Sequence, residues 1–313
     1  MTVRSPMMKI EPFFISKIWG GSFLPKVKGK RMDDPIGELL EVSRLKGMNS
    51  TYQDTPLEEV FSEEEIPYLI KFIETTENLS IQVHPDDEYA KKVENSSGKT
   101  ECWLILDAGP ESGVYLGLKP GTTKERFADV VENKGEVHNL LNFYPVKAGD
   151  FLFVPPGSIH AIGEGIVLLE VQQSSGITYR VWDWNRVGLN GKPRNLHVEK
   201  AFDVINFSEH QNTPNFFQFT NDLFNKDIDS KLVEHADFSF SIYRGNTNEE
   251  IEVPINANGR TTSLIGIKGI TSVSRDNKKL KLGQYSTVLC PQNFNSTIKM
   301  KFLSDSAVVA VID

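Results

Sequence analysis

The sequence predicts a mainly β protein, a sandwich or barrel with a few inserted helices. Three observations carry this. Short runs rich in β-branched and aromatic residues recur along the chain. Gly, Pro, Asn or Asp clusters bound nearly all of them. They follow one another at roughly ten-residue spacing, as strands of an antiparallel sandwich or barrel do.

In chain order, strands are expected at 79–83, 102–106, 150–154, 166–171 and 178–182, then at 238–243, 263–267, 273–275, 287–289 and 308–312. Helical signals fall between these groups. Asp86 and Asp87 can cap a turn that begins Glu88-Tyr89-Ala90. Thr122, with Glu125 three residues later, has capping-box form and leads into Phe127, Val130 and Val131. A third helix is expected over 197–207, where Val198, Ala201, Phe202 and Ile205 repeat at helical spacing.

This pattern divides the chain into a first β domain over 1–211 with helical insertions, which the motifs below make the catalytic one, a polar Asn/Asp-rich linker over 212–237, and a C-terminal β domain over 238–313. A weak internal echo links the two domains. Gly149 to Pro155 reads as glycine turn, buried strand and proline turn, and Gly283 to Pro291 repeats that order. The second copy has no histidine after its proline, so as a repeat it carries no metal site.

The chain has 313 residues, 39% apolar and 24% charged, which excludes disordered, collagen-like and disulfide-scaffold classes. Lys and Arg number 34 against 42 Asp and Glu, a net charge of −8, which argues against a nucleic-acid binder. An anionic ligand must therefore be met by cations local to its pocket. Cys102 and Cys290 have no CxxC or Cys/His neighbours; a single disulfide is conceivable, but two reduced thiols are expected. The N-terminus shows no continuous apolar run of signal-peptide type, and the longest apolar stretches, such as 307–312, are strand-sized. A cytoplasmic protein is expected, without membrane segments. Met8 is an alternative start that would make the preceding residues a dispensable extension.

The strongest local signal is GDFLFVPPGSIHAIGEG, with Gly149, Pro155, Gly157 and His160. A glycine turn starts a strand, a Pro-Gly pair reverses it, and the histidine opens the next strand, aiming an imidazole into a barrel mouth. The stretch resembles the second motif of the cupin superfamily, except that Glu164 stands where cupins often carry Asn. Upstream, Ser80, Gln82 and His84 share one face of a strand, and Lys99 and Glu101 share another, with Cys102 turned away. One amide oxygen, two imidazoles and one carboxylate make a mixed N/O donor set that suits Zn²⁺. Such polar side chains inside a barrel cost several kcal/mol if unpaired, roughly 2–7 each, which favours a metal over a structural role.

The strings SIQVHPDD, GKTECWLIL and VPPGSIHAIGEGIVLLEVQQSSGITYRVWDWNR, together with the early KIWGG, resemble type I mannose-6-phosphate isomerases of the short bacterial form, collinearly from Lys17 to Arg186. The resemblance implies a cupin-type jelly-roll barrel carrying one Zn²⁺ and a second, smaller, metal-free cupin-like β domain. It implies Gln82, His84, Glu101 and His160 as metal ligands, although some short bacterial members use only His, Glu and His. It makes Arg180 the essential active-site arginine, and Lys99 and Ser80 the phosphate donors. The implied activity interconverts mannose 6-phosphate and fructose 6-phosphate through a cis-enediol, with a sugar phosphate as the only expected partner. Glu170, on the strand after His160, is the candidate for proton transfer; a structural ion pair with Arg180 or a lysine is its competing reading. Two alternatives stand beside the isomerase. One is another metal-dependent cupin enzyme, either a dioxygenase or an isomerase of a different sugar phosphate. The other is a non-catalytic sugar-phosphate sensor, which would be marked by lost ligand residues.

Overall fold

The computed structural model describes residues 4–226, 230–255, 259–292 and 294–313, and they form a mainly β molecule as expected. Every strand foreseen is present within a few residues. Several more strands appear that periodicity did not announce, among them Phe13–Gly21, Ile36–Val42 and Tyr68–Glu74.

The chain divides into two compact units whose boundaries differ from the expected ones. One unit comprises Ile15–Leu39 and Phe72–Asp222; the other comprises Met1–Phe14, Leu40–Lys71 and Leu223–Asp313. The reason lies in long-range strand pairing. Met8–Lys9 pairs antiparallel with Thr287–Cys290, Met8 facing Leu289. Arg4 pairs with Glu65, and the Tyr68 hydroxyl meets Ser263 at 3.0 Å. Among the described residues before Met8, Met7 is fully buried in the core of this unit, which does not fit the expectation of a dispensable extension there.

That unit contains a six-stranded and a four-stranded antiparallel sheet. Leu264, Val288, Val309 and Val311 on the first pack with Val273, Leu282, Ile298 and Met300 on the second. Cys290 lies in the same core, and Cys102 in the other unit; both are free thiols, as expected.

The other unit is also built on two sheets. One has the order Leu141–Pro145, Gly113–Leu118, His160–Ile162, Ile81–Val83, Tyr179–Trp182. The second runs Phe151–Val154, Glu101–Ala108, Ile166–Gln173, and then those parts of the strands Tyr68–Glu74, Ile36–Val42 and Phe13–Gly21 that fall in this unit, residues 72–74, 36–39 and 15–21. Trp103, Ile105, Leu152 and Leu168 of the second sheet pack with Val114, Leu116 and Ile162 of the first. The outer face of the five-stranded sheet carries Ile81, Val83, Ala161, Tyr179 and Val181, which are covered by Phe127, Ala201 and Ile205.

Three helices match the expected ones with shifted ends. Asp87–Glu94 is capped by the Asp86 side chain, which accepts from Tyr89 N at 2.8 Å. Lys124–Glu132 is capped by Thr123 rather than Thr122, because it is the Thr123 hydroxyl that accepts from Arg126 N. The third spans only Val198–Val204, where Ile205 turns extended.

The expected linker is also structured in part. Phe217 is fully buried, its carbonyl accepts from Phe153 N, and Phe151 and Thr220 exchange two backbone hydrogen bonds. Its stretch 212–222 thus lies along the edge strand Phe151–Val154, satisfying that strand's outward amides. Ser230–Glu234 is a strand paired with Ser239–Gly245, while 227–229 lie outside the described residues.

Candidate metal centre

Two adjoining ladders bring the functional side chains together. On the five-stranded sheet, His160 is in register with both Leu116 and Gln82, and Gln82 with Arg180. Side chains directly across a ladder share a face, so Gln82, His160 and Arg180 form one row. On the other sheet of this unit, Glu101 faces Gln172 and Trp103 faces Glu170 in register. Alternation then places Glu101, Trp103, Glu170 and Gln172 on one face. His84 and Lys99 lie just outside strands, where backbone bonds hold them: Lys99 N donates to Pro85 O and Gly157 N to His84 O.

Gly157 makes the reversal between Phe151–Val154 and His160–Ile162. Its φ is +79°, and a Cβ there would stand 2.9 Å from Val204 O, so glycine is required on both counts.

His84, Glu101 and His160 converge: one donor atom from each lies within 4.8 Å of the others, and all three residues are buried. The Glu101 carboxylate stands 3.5 Å from His84 Nε2 through Oε2, and 3.4 Å from His160 Nε2 through Oε1. Tetrahedral ligands bonded at about 2.1 Å lie about 3.4 Å apart, so these spacings fit one small cation.

The imidazoles are oriented for the same task. His84 Nδ1 donates to Ile177 O and His160 Nδ1 to Ser158 O, both at 2.9 Å. A carbonyl only accepts, so each Nδ1 carries the proton and each Nε2 presents its lone pair to Glu101. Burial pushes the His160 imidazole down to about 4, which keeps it neutral and able to ligate at ordinary pH. Trp103 packs edge-on to the His160 ring with centroids 5.4 Å apart.

Burial drives the Cys102 thiol well up, and neighbouring Glu101 and Glu170 push it the same way. That disfavours a thiolate ligand, consistent with its place on the opposite face.

The chain is 30% identical over 322 residues to the mannose-6-phosphate isomerase of Streptococcus mutans, covering 96% of this chain and 98% of the relative. It belongs to the mannose-6-phosphate isomerase family. Residues 15–102 match the family model described as phosphomannose isomerase type I, catalytic domain. The solved mannose 6-phosphate isomerase of Bacillus subtilis superposes with a TM-score of 0.83 at 27% identity, over 99% of this chain and 100% of that one. A mannose 6-phosphate isomerase solved with zinc and yttrium bound shares the fold at a TM-score of 0.73 and 14% identity, over 98% and 99% of the two chains. The family fold is of cupin type, in line with the resemblance read from the sequence.

The other expected site residues fall in two groups. Ser80, 3% exposed, lies 3.4 Å from Gln82 Oε1 and accepts from Arg180 Nε at 3.2 Å. Arg180 also donates through Nη1 to Asn195 O. Gln82 donates its amide to His160 Nε2 at 3.3 Å, with Oε1 turned to Ser80; a half-turn of the amide would present oxygen instead.

Lys99 stands apart from Ser80 and Arg180. Its ammonium is 2.6 Å from Glu101, 2.9 Å from His84 Nε2 and 3.9 Å from Glu170. Its ammonium thus touches two of the three clustered donors. Glu170 takes this lysine as an ion-pair partner rather than Arg180.

Sequence reasoning missed the groups that hold the site from behind: Trp103 against His160, the carbonyls of Ser158 and Ile177, and His197, whose Nδ1 accepts from Arg180 N. Gln172, fully buried, donates to Gln173 O and Ser175 O and braces the same strand end. Carbonyl partners leave no trace in residue type, and His197 lies seventeen residues from Arg180.

Proposed function

We propose that the chain interconverts mannose 6-phosphate and fructose 6-phosphate, using one divalent ion held by His84, Glu101 and His160, with Gln82 as a fourth ligand. The observation that carries this is the convergence of two inward-facing Nε2 lone pairs on one buried carboxylate at tetrahedral spacing, in a chain of this family. Two imidazole nitrogens with a carboxylate oxygen favour Zn²⁺ over the harder, all-oxygen ions.

The reaction moves one proton between C2 and C1 through a cis-enediol, while the attached oxygens exchange roles as carbonyl and hydroxyl. Bound, the ion supplies Lewis acidity toward those two oxygens. Glu170 is the group that takes the C2 proton and returns it at C1. Its burial and its place on the same face as Glu101 support this role. Lys99 stands at the same reacting end. Arg180 and Ser80, held together through their own hydrogen bond, orient the rest of the sugar and meet its phosphate with donors. That supplies local positive charge in a chain of net −8.

A coupled assay for fructose 6-phosphate formation tests the proposal on protein as purified, after chelation, and after Zn²⁺ return. Activity is expected to vanish on chelation and to reappear with Zn²⁺. Full activity in protein verified to be metal-free would defeat it.

A further inference from the structure

An imidazole nitrogen has one lone pair. At His84 the Nδ1 proton is committed to Ile177 O, so Nε2 can only accept, and Lys99 Nζ donates to it at 2.9 Å. The same ammonium lies 2.6 Å from Glu101 Oε2. Lys99 thus occupies, with a positive charge, two of the three donors that would hold a metal. Gln82 does the equivalent at His160, where its amide nitrogen donates to Nε2.

A metal and the Lys99 proton cannot share the His84 lone pair. Like charges at such distance inside a buried site also repel strongly. Only one carboxylate besides Glu101 is within ion-pair reach of Lys99 among the described contacts: Glu170, at 3.9 Å and 3% exposed.

We propose that Lys99 is a built-in stand-in cation for the metal-free site, and that metal uptake displaces its ammonium from His84 and Glu101 onto Glu170. The inference rests on the metal reading above. In the empty site the ammonium neutralises Glu101 and holds the donor cluster in register. With an ion bound, both roles pass to it, and the Lys99–Glu170 pair closes. No bond is made or broken beyond hydrogen bonds, and Lys99 keeps its proton throughout. Lys99 is in this respect a positioning residue, acting on metal exchange through Glu101 and His84.

The test is Zn²⁺ binding by the full-length protein, stripped of metal and titrated in competition with a chromophoric chelator near neutral pH. Lys99→Met removes the competitor and is expected to tighten Zn²⁺ binding by about tenfold or more. A charge that merely sits nearby would also do this, so a double-mutant cycle with Glu170→Gln separates the two. If the ammonium moves onto Glu170, Glu170→Gln weakens Zn²⁺ binding by about threefold or more when Lys99 is present, and by nothing measurable in Lys99→Met.

An equal effect of Glu170→Gln in both backgrounds overturns the displacement, as does a Lys99→Met variant that binds Zn²⁺ no more tightly than the parent. If Lys99→Met does not fold without metal, Lys99→Gln, whose amide keeps a donor toward Glu101, carries the same comparison. Failure of the unaltered protein to take up Zn²⁺ at all would instead defeat the metal reading.

Discussion

At the scale of single residues, the site separates holding from reacting. His160 does the first: its Nε2 faces Glu101 and its ring is braced by Trp103. His160→Ala is expected to lose the metal and at least about 100-fold in kcat together, read from metal content and steady-state rates. Arg180 is proposed for the second. It touches Ser80 and Asn195 but none of the three clustered donors. Arg180→Ala should keep a full complement of metal while kcat falls by about 10²–10³-fold; loss of metal along with rate would place it in the holding group. Glu170→Gln, assayed at saturating Zn²⁺, should lower kcat by about 10²–10⁴-fold, the usual worth of a positioned proton carrier. A near-normal rate would send the proton elsewhere, and a uniform small loss would make Glu170 only the partner of Lys99.

At the scale of elements, the centre depends on turns and strand ends as much as on strands. His160 opens its strand directly after the reversal at Gly157, and Gly157 ties three segments together through His84 O, Asn206 N and its own backbone. Gly157→Ala puts a Cβ at positive φ and 2.9 Å from Val204 O, so it should cost about 1–3 kcal/mol of stability by chemical denaturation. Because the turn aims both histidines, metal affinity should fall as well; a stable variant with unaltered affinity would show that the turn is not what aims them. The same elements explain what the sequence made legible. Alternation along a strand puts Ser80 with Gln82, and Lys99 with Glu101, from residue order alone. It says which face a side chain takes, and nothing of how deep it reaches. Residue order thus gives the face of Lys99 but not its approach to within 2.6 Å of Glu101 and 2.9 Å of His84 Nε2. Capping signals erred by one residue at Thr122 and Thr123 because adjacent threonines offer the same chemistry, and only backbone geometry chooses between them.

At the scale of the whole molecule, the mainly β character is written locally, while the division into units is not. Pairing Met8 with Leu289 joins residues from opposite ends of the chain, and no local pattern marks it. The candidate metal centre is equally non-local, with its donors arriving from three segments that only the folded sheets bring together. Folding and metal binding should therefore be linked, and pH should expose the link. In the unfolded chain His160 titrates near 6.5, whereas burial holds it at about 4 in the folded chain. Between those values the unfolded state binds a proton that the folded state does not, so stability is lost as pH falls through this window, by roughly 3 kcal/mol at most. Above about 6.5 this contribution is complete and flat in pH. Metal-free protein should accordingly unfold at progressively lower denaturant from pH 6.5 to pH 4. Zn²⁺ should raise the midpoint near neutrality and help less as acid competes for the same imidazoles. His160→Asn, which cannot titrate, should flatten the slope of the metal-free protein across that window. An unchanged slope would mean that the acid sensitivity is carried by other groups and that the buried imidazole is not what couples this fold to its metal.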